Sequence, residues 1–197
     1  LELLRDKFQV DNSWDDDEVL PRIPQYDVPE KIIQAVDLID RGIDDSFELG
    51  YKLGHRGKKD AYIRRHGNYA KAALKELGII RRVKQGRNLR TEITGTGKQI
   101  AEAQNLGDKE ELLIRAMLNY KPVWLIMGKV TEDNEVLTED LIVQTIFYPA
   151  ERKANTSSRR AQTLKSWIMW IAGKTLIPIH LRETVQLPLP LLFSESS

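Results

Sequence analysis

From Pro29 onward, apolar positions Ile32, Ile33, Val36, Leu38 and Ile39 recur at helical spacing and stop before Gly42. That pattern predicts a helix with Pro29 in its opening turn. A short second helix is expected from Asp45 or Ser46, with Phe47, Leu49 and Leu53 apolar and Gly54 as its stop. After the turn HRGKKD, the spacing predicts a longer helix over Lys58–Leu77, closed by Gly78. Its buried face would be Ile63, Gly67 or His66, Ala70, Ala73, Leu74 and Leu77. The period then changes. Ile79, Ile80 and Val83 start a strand, KQGRNLR turns the chain, Thr91 and Ile93 start the return strand, and TGTGKQIAEAQ reads as a closing helix. Helix, turn, helix and then a hairpin is the winged-helix plan.

A second unit of similar plan follows Leu106. Asp108 with Glu111 resembles a capping box ahead of Leu112, Leu113, Ala116 and Met117, and KPVWLIM is an apolar segment after a break. Thr138, Glu139 and Asp140 open a short helix over LTEDLIVQTIF. Thr156 or Ser157 caps a last helix with a stripe of Leu164, Trp167, Ile168 and Ile171 and an end at Gly173. The tail TLIPIHLRETVQLPLPLLF reads as two short strands, the last an edge because of Pro188 and Pro190. The expected fold class is therefore mainly α with small β-hairpins (α+β), two winged helix-turn-helix units in tandem. The expected divisions are an acidic extended arm over 1–28, a first winged helix over 29–106 and a second winged-helix-like domain over 107–197. Trp14, Ile23 and Tyr26 imply that the arm lies against something.

Composition narrows the field. Hydrophobic residues make up 41% and charged residues 30% of the 197, which is ordinary globular composition. The longest apolar run, Trp167–Ala172, is far below the roughly 20 residues of a membrane span. Glu2, Arg5, Asp6 and Lys7 interrupt any signal-like stretch, and the chain opens on Leu, as a piece of a longer chain would. With no Cys there is neither a disulfide framework nor a thiol nucleophile, which suits the cytoplasm. His55, His66 and His180 have no metal-clip spacing.

Charge adds more. Residues 1–50 hold 5 basic and 14 acidic side chains, and residues 51–100 hold 14 and 3. Residues 101–150 hold 4 and 9, and residues 151–197 hold 7 and 3. A whole-chain charge of +1 thus conceals two basic blocks able to attract a polyanion. On the long helix, Arg64, Asn68, Lys71 and Lys75 are spaced 4, 3, 4, with Arg65 beside them and Lys58 and Lys59 before them. Arg matches guanine's paired major-groove acceptors, Asn matches adenine, and Lys neutralises phosphate. The hairpin adds Arg81, Arg82, Lys84, Arg87 and Arg90. On the last helix the corresponding set is Arg159, Arg160, Gln162, Thr163, Lys165 and Ser166.

RRHGNYAKAALKELGII, the basic hairpin and TEITGTGK resemble the first half of the tandem winged-helix DNA-recognition modules of bacterial restriction-modification proteins. SSRRAQTLKSWIMWI resembles their second recognition helix, so the likeness covers about residues 29–185. It implies base or phosphate contact from Arg64, Arg65, Asn68 and Lys71, and from Arg159, Arg160, Gln162 and Thr163. It also implies sequence-specific binding of double-stranded DNA, as the target-recognition part of a type II restriction endonuclease or a related system. The partners would be DNA and a nuclease domain or subunit, with no membrane. No cofactor is expected in this chain, Mg2+ entering only with an attached nuclease. The alternatives are a transcriptional regulator or a protein-interaction module.

A catalytic centre in the chain itself has one candidate. Asp140, Glu151 and Lys153 have the spacing of a metal-dependent nuclease, against the simpler reading of a helix start and a loop. Gly95–Lys98 is no phosphate loop, because Glu92 and Gln99 stand where Gly and Ser or Thr are required. No catalytic residue is assigned.

Overall fold

The computed structural model describes residues 1–11, 14, 20–86, 88–148 and 155–181. Among these it is mainly helical, with one two-stranded antiparallel sheet. In chain order the elements are α1 (Glu2–Phe8), α2 (Pro29–Asp40), α3 (Ser46–Lys52), α4 (Asp60–Glu76), β1 (Ile80–Gln85), β2 (Asn88–Ile93) and α5 (Gly95–Glu102). They continue with α6 (Leu106–Leu118), α7 (Lys121–Thr131), α8 (Glu139–Ile146) and α9 (Asn155–Thr175).

Local chemistry explains the starts. Pro29 opens α2, and Asp45 Oδ1 caps α3 by accepting from the Phe47 and Glu48 amides, both at 2.9 Å. Thr94 caps α5, accepting from Gly97 N, while its hydroxyl lies within hydrogen-bond distance of the Gly78 and Ile79 carbonyls. Asn105, rather than Asp108, caps α6 by accepting from Asp108 N at 2.9 Å. Thr138 caps α8 through Leu141 N at 3.0 Å. The segment KPVWLIM forms most of α7, with Pro122 in its first turn where a missing N–H costs nothing. α9 runs through Gly173 to Thr175. Leu176 then takes a left-handed conformation (φ 57°), and Ile177 N donates back to Ala172 O, a glycine-type stop without glycine.

One hydrophobic cluster draws on both halves of the chain, from Leu4 and Phe8 through Ile32, Leu74 and Leu113 to Trp167 and Ile171. It crosses residue 106 without a break. The N-terminal segment departs from an extended acidic arm. Glu2–Phe8 is helical, and Val10, Ile23 and Tyr26 are buried. Asp15, Asp16, Asp17 and Glu18 lie outside the described residues. Residues 20–28 form a strap. The Tyr120 hydroxyl donates to Arg22 O at 3.1 Å, and Trp167 Nε1 donates to Tyr26 O at 3.0 Å. Burial, led by desolvation, pushes both the Tyr26 and Tyr120 hydroxyls up, so both rings stay neutral.

The expected C-terminal hairpin is not found over 176–181, which carry no strand; besides the Ile177 turn that closes α9, their backbone accepts one hydrogen bond, Leu137 N to His180 O. The rest of that expectation, 182–197, lies outside the described residues.

α3 and α4 pack backbone to backbone. A Cβ at Gly67 would collide with the Ser46 carbonyl, and one at Gly50 with the Ile63 carbonyl. Gly67→Ala should therefore destabilise by about 1–3 kcal/mol, although alanine is the better helix former by about 1 kcal/mol. Urea unfolding measures it. An unchanged midpoint would mean that the two helices separate freely.

Candidate nucleic-acid interface

The close α3–α4 contact decides which side of α4 faces outward. It lays Asp44, Asp45 and Ser46 along the helix, opposite three of the residues expected to read bases. Arg64 Nη1 donates to Asp45 Oδ2 at 3.2 Å. The Ser46 hydroxyl donates to Asn68 Oδ1 at 2.7 Å. Lys71 Nζ donates to Asp44 Oδ1 at 2.8 Å and also to the Asp44 carbonyl. Lys71 is 6% exposed, so its assignment to base or phosphate contact is corrected. At about 100° per residue, Lys71 points toward α3 rather than away from the core.

Asp44 also accepts the Thr91 amide of β2 at 3.2 Å, tying α3, α4 and the hairpin together. Burial pushes its carboxyl up, but the hydrogen bonds from Lys71 and Thr91 outweigh this and hold it below the usual carboxylate range. Asp45 is likewise held low, first by the Glu48 amide.

The outward stripe is offset from the 4, 3, 4 line read from sequence. It runs through Ala61, Arg65, Asn68, Ala72 and Lys75, spaced 4, 3, 4, 3. All are exposed except Ala72, which is half-buried. The two alanines keep the stripe low, and the Asn68 amide nitrogen retains hydrogen-bonding capacity. Lys58 and Lys59 are exposed just before α4, and among the described residues only a 3.8 Å contact with Glu76 opposes Lys75.

Beside the stripe runs a group of rings. His55 stacks on His66 at 3.9 Å, with Tyr62 and Tyr69 on His66. Desolvation, then His66 and Lys31, push His55 down to about 4; His66 is lowered too, chiefly by burial. Neither adds charge to the surface near neutral pH.

The hairpin register pairs Arg82 with Thr91 and Lys84 with Leu89, so one face carries Ile80, Arg82, Lys84, Leu89, Thr91 and Ile93. Ile80 is buried at its base, while Arg82 and Lys84 are exposed. The other face carries Arg81, Arg90 and Glu92. Glu92 neutralises Arg81 at 3.0 Å, and Arg90 is exposed. Arg87 lies outside the described residues.

On α9, Arg159 and Gln162 are exposed, and Lys165 and Ser166 are half-buried. Thr163 is 2% exposed and its hydroxyl donates to Arg159 O at 3.2 Å, so its assignment to DNA contact is corrected. It sits one residue before Leu164, inside the apolar stripe. Lys165 lines a hollow with Glu139 and Asp140, which oppose its charge. Asp140 lies in the first turn of α8, whereas Glu151 and Lys153 are outside the described residues. Among the described residues, no group of three or more His, Asp or Glu is arranged to hold a metal ion.

Arg160 turns differently. It lines a cleft of about 410 Å³ with Arg22 of the strap, Tyr69, Lys75 of α4 and Arg82 of β1. Sequence reasoning missed Arg22, since it counted that segment as acidic. The available signal was the alternation around it: Pro21, Arg22, Ile23 and Pro24 in extended backbone place Arg22 and Ile23 on opposite sides.

These features define a class of small, mainly helical protein with a cationic helix face flanked by a cationic hairpin. The family described as Domain of unknown function (DUF7226) matches residues 38–175, and the chain belongs to it. That span opens inside α2 and closes with α9. No curated protein and no solved structure matches the chain. Among the described residues, no helix is long and apolar enough to cross a membrane.

Proposed function

We propose that this chain is a double-stranded DNA-recognition module, with α2, α3, α4 and the β1–β2 hairpin acting as a winged helix and α4 entering the major groove. The observation that carries the reading is the outward stripe of α4. Arg65, Asn68, Ala72 and Lys75 lie on one line, and Arg82, on the hairpin face that also carries Lys84, lines one cleft with Ala72 and Lys75. A helix of 17 residues spans about 25 Å, and B-DNA's major groove is about 12 Å wide, room for such a rod. Arg and Asn supply bidentate base contacts, and the lysines and hairpin cations supply phosphate contacts. α8 and α9, consecutive in the chain, would form the second helix pair, with the exposed Arg159 and Gln162 as its readers. In the wider form of the proposal, the chain supplies target specificity to a restriction enzyme of the cytoplasm, and cleavage belongs to a separate nuclease domain or subunit.

Fluorescence anisotropy of the full chain on a 20-base-pair random duplex tests this. Neutralising about six phosphates predicts a loss of about 10³-fold in affinity between 50 and 200 mM salt. Arg65→Ala, Lys75→Ala and Arg82→Ala should each lower the salt slope by about 0.9, and Arg81→Ala, already paired with Glu92, by less. Asn68→Ala should relax base preference at one position by about 1–3 kcal/mol. No binding at 50 mM salt, or binding with no salt slope, would sink the reading and favour a protein partner.

A further inference from the structure

We infer that the cleft between the strap, α4, β1 and α9 is a phosphate-binding site of nucleotide size, with Arg22, Arg82 and Arg160 as its anion-holding groups. Three distant parts of the chain bring arginines to the lining of this one cleft. Arg22 comes from the strap, where the Tyr120 hydroxyl holds its carbonyl. Arg82 comes from β1 and Arg160 from the second turn of α9.

The charge is unbalanced. Among the described residues the lining contains Arg22, Lys71, Lys75, Arg82 and Arg160 against the single acid Glu76. Asp44 answers Lys71, and Glu76 sits 3.8 Å from Lys75. The three arginines form no ion pair among the described residues. Arg160 Nε is buried without a hydrogen-bond partner among those residues. The cost of that desolvated donor is offset by no acceptor among the described residues, so the Arg160 guanidinium is not committed to an internal ion pair and is left for an anion from outside. Guanidinium forks match phosphate oxygens two at a time, which a lysine cluster does not.

Size and lining extend the argument. A volume of about 410 Å³ exceeds what an inorganic ion needs and falls in the range of about 300–1,000 Å³ typical of small-molecule sites. Tyr69, Pro24 and Ile23 provide flat or apolar walls for a base, and Gln25 provides an amide for its polar edge. A second hollow of about 350 Å³ shares Arg22 and Arg160 and continues toward Tyr148. The site does not depend on the DNA reading, although Lys75 and Arg82 adjoin both surfaces.

The test uses the full chain and two variants outside the α4 stripe, Arg22→Met and Arg160→Met, with Arg160→Lys as the conservative partner. Calorimetric titration with adenosine 5′-monophosphate, inorganic phosphate and uncharged adenosine reads the free-ligand arm. Saturable binding of the monophosphate and none of adenosine is expected, weakened at least about 10-fold by either Met variant and partly kept by Arg160→Lys. Duplex binding reads the other arm. If the monophosphate does not bind but Arg160→Met costs the duplex about 10-fold and lowers its salt slope by about one unit, the phosphate held is that of the DNA backbone. Arg160→Met should melt no lower than the parent chain, since it removes an unsatisfied buried donor. Wild-type behaviour of both Met variants in both arms would overturn the site, as would a lower melting temperature of Arg160→Met with ligand binding unchanged. Failure of the DNA proposal alone leaves the monophosphate arm standing.

Discussion

Trp167→Ala should lower the stability of the protein by about 3–5 kcal/mol. At roughly 2–4 °C per kcal/mol for a chain of this size, that is a fall in melting temperature of about 6–20 °C. Trp167 is fully buried in α9, edge-on to Tyr120 with ring centroids 6.1 Å apart. Its indole N–H also holds the Tyr26 carbonyl across 141 residues of sequence. Alanine removes the ring that fills the core between α7 and α9 and releases one fastening of the strap. Trp167→Phe separates the two effects: it keeps most of the volume but leaves the Tyr26 carbonyl without its donor, which costs about 1–3 kcal/mol. Urea unfolding followed by far-ultraviolet circular dichroism gives both numbers. A loss under about 1 kcal/mol for the alanine variant would show that the strap is held elsewhere.

Asp44→Ala should be the next most damaging change. Removing one partner of a buried ion pair costs about 3–5 kcal/mol, because the other charge is left desolvated. Here the Lys71 side chain is 7% exposed but Asp44 is 42% exposed, so water reaches the pair and the expectation falls to about 2–3 kcal/mol. Loss of Asp44 also frees the Thr91 amide, loosening the hairpin from α4. The pair further predicts the acid behaviour. Asp44 has a folded pKa below its ordinary 3.8, so the unfolded chain takes up protons more readily there. The stabilisation is complete above that range and is lost as pH falls through the folded value. His55, lowered to about 4, acts in the same direction at higher pH, between 6.5 and about 4. Stability should therefore decline on acidification in two windows, with Asp44→Asn flattening only the lower one. Equal acid sensitivity of Asp44→Asn and the parent chain below pH 4 would contradict this role.

Much of the first half was legible from local pattern. The α2 stripe, the Asp45 cap, the buried face of α4 and the hairpin all follow from spacing and turn chemistry within a few residues. The same holds for the core stripe of α9, where Leu164, Trp167, Ile168 and Ile171 are all fully buried. What could not be read was orientation. Residues 64, 68, 71 and 75 form a line on any helical drawing, but helix periodicity alone does not say where neighbouring helices cover its edges. Two glycines let α3 approach so closely that Asp44 claims Lys71, and the exposed line shifts toward Arg65 and Ala72.

The N-terminal segment carries the same lesson more strongly. Its acidic and proline-rich composition argues for an extended arm, and composition has no means of registering a tryptophan 141 residues away. Alternation and turn signals are properties of neighbouring residues, so the sequence alone determined α2 to α6, α8, α9, the β1–β2 hairpin and the two basic blocks, but not α1. Packing between distant residues is set by shape and desolvation across the whole chain. Only the tertiary structure could decide that Lys71 and Thr163 turn inward, and that Arg22 and Arg160 meet at one cleft.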